Sequence, residues 1–324
     1  MTVPKLPAAA MEALGQVADW PEAHAAVAVL RIGPGSGPPG RPDVEVVGVT
    51  GDAGHPFPWA SVTKPATALA VLVAVEEGTL SLDAPAGPPG STVRHLLAHT
   101  SGLGPEVDRP LAAPGRRRIY SNAGYRVLGD LLSRHAGLSF GEYLTQGVLE
   151  PLGMTGTWLR DPDGEGDGEG DGEGDGEGDG EGDGEAAGSP AAAGLIGPLE
   201  DLVALASEWA VPTLVSAETH RSATTVQYPE VAGVLPGFQR FDPCPWGLGV
   251  EIRGDKQPHW TGSANSPETF GHFGRSGSFL WVDPVAGVAC AGLGDRPFGP
   301  WAAARWPVLA DAVLDEVAGR GPTR

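Results

Sequence analysis

Ser61 and Lys64 are three positions apart, where the sequence WASVTKPATALA leads into an apolar run. The chain has 3 lysines and 18 arginines, so it uses arginine where a permanent positive charge suffices. A neutral amine beside a serine hydroxyl can take its proton and make the alcohol a nucleophile. We therefore expect acyl-transfer chemistry at Ser61 with Lys64 as its base. The alternative for an isolated S-x-x-K is a helix cap followed by a surface lysine.

The apolar run after Ser61 predicts a helix that positions this pair. Pro65 is tolerated only in a first turn, so the helix should begin near Ser61. The Ser61 hydroxyl would then lie at a helix N-terminus, where unpaired N–H groups favour developing negative charge. Lys64, on the same face, could reach the same point. For a neutral Lys64 we expect a pKa lowered by burial and by a nearby cation.

A second motif, Tyr120-Ser121-Asn122, precedes another predicted helix in a chain with only four tyrosines and two asparagines. Tyr120 could shuttle a proton, and Asn122 could orient Lys64 and a substrate carbonyl. The alternative is that Ser121 or Asn122 only caps the helix.

A third motif, FGHFGRSGSFLWVDP, surrounds His272 with glycines. Bare backbone weakens a strand unless another backbone or a ligand approaches closely. The alternative is a bulged edge strand with His272 paired to a neighbour.

In chain order, S-V-T-K, HLLAHTSGL (95–103), Y-S-N, PLGM (151–154), WGLGVEI and H-F-G resemble the serine β-lactamase-related hydrolases. That family includes class C β-lactamases, D-alanyl-D-alanine peptidases and family VIII carboxylesterases. The resemblance runs from about Pro56 to Leu293. It implies an α+β, β-lactamase/transpeptidase-like fold, in which helices flank an antiparallel sheet and a helical lobe meets it at the site.

The resemblance also implies roles for the motif residues. Ser61 would be acylated, Lys64 would be its base partner, and Tyr120 would pass the proton to the leaving group and activate the deacylating water. Asn122 would position the substrate, and His272 would support Tyr120 through its charge or a hydrogen bond.

The remaining implied roles lie around the third motif. The backbone N–H groups of Ser61 and Arg275 would form the oxyanion hole, and Phe273 and Gly274 would bind substrate. Phe273 stands where penicillin-recognising relatives usually have Thr or Ser. This departure favours a carboxylesterase-like enzyme for small acyl esters or amides, with Phe273, Trp246 or Trp260 as an apolar wall. The alternatives are a β-lactamase or D-amino-acid-specific peptidase, and a catalytically silent binding or regulatory relative.

Strand patterns lie towards both ends of the chain and helical patterns lie mainly between them. The strands are predicted at 26–32, 44–50, 247–252, 278–282 and 285–293, and the helices at 66–77, 92–98, 123–136, 140–148, 199–209 and 301–319. We therefore expect a sheet lobe from residues 1–64 and 240–324, and a mainly helical lobe from 65–239.

Composition limits the possible partners. The net charge of −20 includes 12 acidic residues of an Asp-Gly-Glu-Gly repeat at 163–185, so the remainder carries −8. Such a chain lacks the basic stripe of a nucleic-acid-binding protein. The repeat is expected to be a solvated, disordered insertion, with weak divalent-cation binding as the lesser alternative. The expected partner is a small-molecule acyl ester or amide.

No cofactor or metal motif is found in the sequence. His95 and His99 have helical spacing without a third ligand, and the two cysteines lack zinc or disulfide spacing. The sequence has no signal-like or membrane-spanning run, so a soluble cytoplasmic protein without a membrane partner is expected. The sequence carries no signal for an oligomeric state.

Overall fold

A computed structural model of the chain describes residues 11–21, 24–34, 42–160 and 189–319; the acidic repeat lies outside these residues. The strands in chain order are β1 (Ala25–Gly33), β2 (Asp43–Gly51), β3 (Phe57–Pro58), β4 (Trp158–Leu159), β5 (Leu195–Gly197), β6 (Gly233–Val234), β7 (Arg240–Phe241), β8 (Glu251–Ile252), β9 (Phe270–Phe273), β10 (Phe279–Asp283) and β11 (Val288–Gly294).

The α-helices are α1 (Thr63–Glu76), α2 (Val93–Leu97), α3 (Asn122–Ala136), α4 (Phe140–Leu144), α5 (Pro190–Ala193), α6 (Leu199–Ala210), α7 (Ala217–Ala223) and α8 (Pro300–Gly319). Two 3₁₀ segments, Glu12–Asp19 and Ala60–Val62, and a π-helical turn, Thr145–Leu149, complete the helical elements of the described residues.

The main sheet has six antiparallel strands in the order β2-β1-β11-β10-β9-β8. It joins the two ends of the chain, because β1 pairs with β11 in a register that sets Val29 opposite Cys290. A three-stranded sheet, β3-β5-β4, and the β6-β7 pair are separate. The α+β architecture expected from the sequence, an antiparallel sheet with helices against it, is confirmed.

Both faces of the main sheet are buried. Ala26, Ala28 and Leu30 of β1 face the core that contains α1 and α6. Val27 and Val29 face a second core, formed with α8 and the N-terminal 3₁₀ segment. Covering on both faces explains why β1 is a continuous apolar run, since a half-exposed strand would alternate apolar and polar residues.

One strand prediction is largely wrong. Of the predicted strand 247–252, only Glu251–Ile252 is extended and paired. The preceding residues form a tight turn in which Gly247 N–H donates to Val250 O (2.8 Å), and Gly249 has a φ of 95°. A side chain at Gly247 would lie 2.0 Å from Ala223 O. These glycines therefore allow close backbone approach instead of extending the sheet.

The long predicted helices are confirmed, and their ends differ from the prediction by a few residues. The predicted helix 140–148 is shorter, because Phe140–Leu144 is α-helical and the chain then continues as the π-helical turn. No helix of the described residues combines the length and apolar character needed to cross a bilayer. The proposed lobe boundaries at 64/65 and 239/240 stay a prediction.

Candidate active site

The chain turns sharply immediately before Ser61. Three hydrogen bonds hold Trp59 in place. Its backbone N–H donates to Leu195 O (2.9 Å) and its indole N–H donates to Gly197 O (3.0 Å). Its carbonyl accepts from the Ser278 hydroxyl (2.6 Å). Ala60 follows with a φ of 44°, a conformation that costs a non-glycine residue about 1–3 kcal/mol. These fixed contacts of Trp59 maintain the strain, and they place Ser61 in the 3₁₀ turn that leads into α1.

Lys64 is fully buried beneath Ser61, so the alternative of a surface lysine is wrong. Its Nζ lies 2.6 Å from Asn122 Oδ1, 3.0 Å from Ala192 O and 3.3 Å from Ser61 Oγ. Asn122 Oδ1 and Ala192 O can only accept hydrogen bonds. A neutral amine has two N–H bonds and one lone pair, so both N–H bonds are used on these oxygens and the lone pair is left for the Ser61 hydroxyl.

Burial lowers the pKa of Lys64 to about 7, against a smaller opposing effect of the Glu106 carboxylate. The expected neighbouring cation is therefore wrong: the charge that acts on Lys64 is negative, and desolvation alone depresses the pKa. Near neutral pH a large fraction of the enzyme carries the amine in its neutral, basic form.

Tyr120 is a second neighbour of Ser61 in the cavity wall, and the centre of its ring lies 4.7 Å from Lys64 Nζ. Its OH is 3.5 Å from His272 Nε2, and His272 Nδ1 is 2.8 Å from Phe273 O. Because a carbonyl only accepts, Nδ1 carries the ring proton and Nε2 accepts from Tyr120. Burial, followed by the charge of Lys64, lowers the pKa of His272 to about 3. Of the two expectations for His272, the geometry therefore favours the hydrogen bond over the charge.

Burial also raises the pKa of Tyr120, so it is a neutral phenol at neutral pH. A phenol that both donates and accepts can relay a proton without holding a charge.

Hydrogen bonds of Ser121 fix the loop that carries Tyr120. Ser121 Oγ accepts from Gly124 N–H (3.0 Å) and caps α3, while Ser121 N–H donates to His99 Nδ1 (3.1 Å). The ring of His99 packs against Tyr120 at 4.5 Å. Ser121 therefore caps the helix, as one interpretation of the motif expected, and Asn122 lies in the site, as the other expected.

The glycines around His272 have the close contacts expected of them. A side chain at Gly271 would lie 2.1 Å from Leu280 O. β9 lies between β10 and β8, so the alternative of an edge strand is wrong. The Gly274 N–H donates to Ser278 O (2.8 Å), and a Cβ there would lie 2.5 Å from Trp59 O. Gly274 thus lets β9 approach the turn that holds Ser61.

We expect Gly274→Ala to lower the free energy of unfolding by about 1–3 kcal/mol, because the new methyl group overpacks against fixed backbone. It should also lower activity by moving Ser61 relative to Arg275. Urea unfolding and an activity assay measure both effects. Gly15→Ala is the matched control, since no atom lies within 4 Å of its Cβ. Equal stability of the two variants would contradict the prediction.

Most of the predicted residues line one cavity of about 320 Å³, and Lys64 is buried behind its wall. It is lined by Ser61, Glu106, Tyr120, Asn122, Leu235, Pro236, Gly237, Trp246, Glu251, His272, Phe273, Arg275 and Phe298. Phe273 and Trp246 line it as anticipated, whereas Trp260 packs behind Phe273 at 5.5 Å and is not in the wall. Gly274 supports the site from beside Trp59 and is not in the wall either.

Sequence reasoning missed two carboxylates in this wall. Glu251 is buried and contacts Lys256 Nζ (2.6 Å), Trp260 Nε1 (2.8 Å) and His259 Nε2 (3.0 Å). Burial opposes ionisation, but His259 and Lys256 outweigh it and hold the pKa of Glu251 well below its usual range. A charged residue inside the apolar run GLGVEI was the available sequence signal.

Glu106, the second missed carboxylate, lies in the loop between the HTSGL and Y-S-N motifs. Its Oε1 accepts from Asn122 Nδ2 at 2.5 Å. No local pattern in LGPEVDRP distinguishes it from the other exposed acids of the chain, so only the folded loop identifies it.

Comparison with known sequences finds partial matches. Penicillin-binding protein 4* of Bacillus subtilis is 29% identical over 135 residues, which is 31% of this chain and 30% of that protein. A putative D-alanyl-D-alanine carboxypeptidase of Salmonella enteritidis is 25% identical over 204 residues, 58% of this chain and 47% of that protein. The matches thus span less than half the length of these curated relatives.

Comparison with solved structures covers nearly the whole chain. A beta-lactamase from Mycobacterium bovis has a TM-score of 0.80 and 48% identity over 94% of this chain and 99% of that one. EstCE1, described as a hydrolase with promiscuous acyltransferase activity, has a TM-score of 0.65 at 20% identity, over 93% and 96% of the two chains, and shares the fold. The sequence model described as Beta-lactamase matches residues 43–314.

Proposed function

The chain belongs to the Beta-lactamase family, and we propose that it is a serine hydrolase that cleaves small acyl esters or amides through an acyl-Ser61 intermediate. The observation that carries this proposal is the bonding of Lys64, whose Nζ lies 3.3 Å from Ser61 Oγ and within hydrogen-bond distance of two obligate acceptors, Asn122 Oδ1 and Ala192 O. In the neutral amine these two oxygens take both N–H bonds, and the lone pair is left for the Ser61 hydroxyl. A buried amine with a pKa of about 7 in this geometry is suited to act as a base at neutral pH.

In acylation, Ser61 Oγ attacks the substrate carbonyl carbon as its proton moves to Lys64 Nζ. The carbonyl oxygen becomes an oxyanion, which the backbone N–H groups of Ser61 and Arg275 would stabilise. Each such donor typically contributes about 3–4 kcal/mol to the transition state. Gly274 N–H is already bonded to Ser278 O, which leaves the next N–H in the chain, that of Arg275, for this role.

The bond to the leaving group then breaks, and the leaving oxygen or nitrogen takes a proton from the Tyr120 hydroxyl. Lys64 returns its proton to Tyr120, so the relay is reset. In deacylation the same groups act in reverse: a water loses a proton through Tyr120, attacks the acyl carbon, and Ser61 Oγ is reprotonated as the acid leaves. His272 Nε2 would hold the Tyr120 hydroxyl in line for both steps.

The wall of the cavity supports small, partly apolar acyl groups. Phe273, Phe298, Leu235 and Pro236 provide its apolar part, and about 320 Å³ is at the small end of ligand pockets. At position 273 the side chain has no hydroxyl to hold a substrate carboxylate. It packs instead against Phe298 with ring centroids 4.7 Å apart.

Cytoplasmic localisation stays a prediction.

A β-lactamase is the second candidate. The observation that favours it is the 48% identity to the Mycobacterium bovis structure, which is named a beta-lactamase. D-alanyl-D-alanine carboxypeptidase activity, which the Salmonella relative's name suggests, would require recognition of a C-terminal carboxylate. Arg275 is the cation of the cavity wall that could supply it. A catalytically silent relative would not need the Lys64 geometry retained.

We expect p-nitrophenyl butyrate to be cleaved with a kcat/KM at least about tenfold above that of a chromogenic cephalosporin, because Phe273 replaces a carboxylate-holding hydroxyl with a ring. Initial rates measure this ratio. Intact-mass spectra in the first seconds would show the butyryl adduct, and peptide mapping would locate it on Ser61. The reverse ratio would establish the β-lactamase candidate, and no adduct with either substrate would favour the silent relative.

A further inference from the structure

Glu106 presents a carboxylate to the cavity, and within the described part of the chain it forms no ion pair. It lies in the wall, and its Oε1 accepts from Asn122 Nδ2. Among the described residues no lysine, arginine or histidine lies within 4.0 Å of it. Its loop neighbour Asp108, in contrast, is paired with Arg126.

The other charges of the cavity leave Glu106 uncompensated. Glu251 is balanced by Lys256, with which it forms a buried ion pair. Lys64 must be neutral in order to act as the base, and at that moment it does not balance Glu106. Arg275 also lies in the wall and makes no ion pair with an acid among the described residues. The reactive state therefore has a carboxylate beside Asn122 that forms no ion pair within the described residues, and a bound cation would stabilise it.

The position of Glu106 assigns it to the acyl side of a substrate. Ser61 Oγ has two neighbours that can transfer protons. The first, Lys64, is hydrogen-bonded to Asn122, which in turn is hydrogen-bonded to Glu106. The second, Tyr120, is hydrogen-bonded to His272. A leaving group must be near Tyr120 to receive its proton, and the oxyanion occupies the backbone donors. The remaining substituent of the tetrahedral carbon, the acyl chain, would then extend along the cavity wall, of which Asn122 and Glu106 are part.

We infer that this site prefers acyl donors whose acyl chain carries a positively charged nitrogen, and that Glu106 is the residue that recognises it. The inference rests on the proposed function, since it assigns the substrate class of the same site. Methylene groups of the chain would lie along the apolar wall, and the cation would reach Glu106. The net charge of −8 outside the acidic repeat also attracts cationic substrates over a longer range.

A matched pair of esters tests the inference. One is p-nitrophenyl 4-(trimethylammonio)butanoate, and the other is its uncharged carbon isostere, p-nitrophenyl 5,5-dimethylhexanoate. The two acyl chains have the same shape and differ only in charge. The readout is the ratio of their kcat/KM values at low ionic strength, for the wild type, Glu106→Gln and the control Asp108→Asn.

We expect the wild-type ratio of cationic to neutral ester to fall about fivefold in Glu106→Gln, the scale of an exposed ion pair. Added salt at 0.5 M should lower the wild-type ratio in the same direction, because it screens the attraction. Asp108→Asn should keep the ratio and the activity, since Asp108 lies outside the cavity wall. Any effect of Glu106→Gln on Lys64 changes both esters equally and cancels in the ratio.

Failure of this inference is distinguishable from failure of the proposed function. An unchanged ratio in Glu106→Gln, with ester turnover intact, would overturn the role of Glu106 and leave the hydrolase standing. Where turnover is slow, the rate of Ser61 acylation by each ester, followed by intact mass, gives the same ratio. Absence of both turnover and acylation in the wild type would overturn both proposals.

Discussion

Replacing Ser61 with alanine is expected to lower kcat/KM for p-nitrophenyl butyrate by about 10⁴-fold or more, the scale seen when a serine nucleophile is removed. Lys64 and Tyr120 have no second serine hydroxyl to activate, because Ser61 is the single serine of the cavity wall among the described residues. The measurement is initial-rate hydrolysis, with intact mass to detect the acyl adduct.

The fold should be unaffected by this change. Within the described residues the Ser61 hydroxyl forms one hydrogen bond, with Lys64, so the thermal unfolding midpoint should remain close to that of the wild type. Ser263→Ala is the matched control, because it removes an exposed hydroxyl that bonds only to Asp311 within the described residues. Turnover that survived in Ser61→Ala and still produced an acyl adduct would place the nucleophile elsewhere.

The pH dependence of kcat/KM should follow the protonation of the Lys64 amine. With a pKa of about 7, the neutral amine is about tenfold scarcer for each pH unit below that value. We therefore expect kcat/KM of the neutral butyrate ester to be about 100-fold lower at pH 5 than at its plateau above pH 8. His272, with a pKa of about 3, is neutral throughout this range and does not contribute to the limb.

Two variants test whether this fall of kcat/KM at low pH, the acid limb of the pH profile, is due to Lys64. Lys64→Arg replaces the amine with a guanidinium that stays protonated, so kcat/KM should fall by about 10³-fold or more at every pH. Glu106→Gln removes the carboxylate that raises the pKa of Lys64, so the limb should move to lower pH. An unmoved limb in Glu106→Gln, together with an active Lys64→Arg, would show that another group supplies the base. Circular dichroism at each pH confirms that the fold is intact.

The helix from residue 63, the strands of both ends and the terminal helix were predictable because each has a local cause. Pro65 fixes a helix start, the β-branched run of 26–32 fixes a strand, and the apolar spacing of 301–319 fixes a helix. The 247–252 segment failed because its glycines serve contacts with Ala223 and Leu97, residues far away in sequence. No local pattern carries that information.

Part of the site could likewise be predicted. Ser61, Lys64, Tyr120, Asn122 and His272 lie in short ordered motifs. In the structure four of them line one cavity, and Lys64 is buried beneath Ser61, bonded to Asn122. Glu106 could not be found in this way, since an acid in a polar loop has the same sequence appearance whether it faces solvent or a substrate. Its significance depends on a hydrogen bond to Asn122 across 16 positions.

The sequence by itself therefore determined the elements, the chemical groups and their order, because helix starts, strand periodicity and motif spacing are properties of neighbouring residues. Only the tertiary structure decided the electrical state of those groups. Lys64 has a lowered pKa because it is buried among Asn122, Ala192 and two tyrosine rings. The charge near it is the Glu106 carboxylate, which opposes that shift, where the sequence had suggested a cation. Desolvation and Coulomb interactions depend on what surrounds a group in space, and folding alone assembles those surroundings.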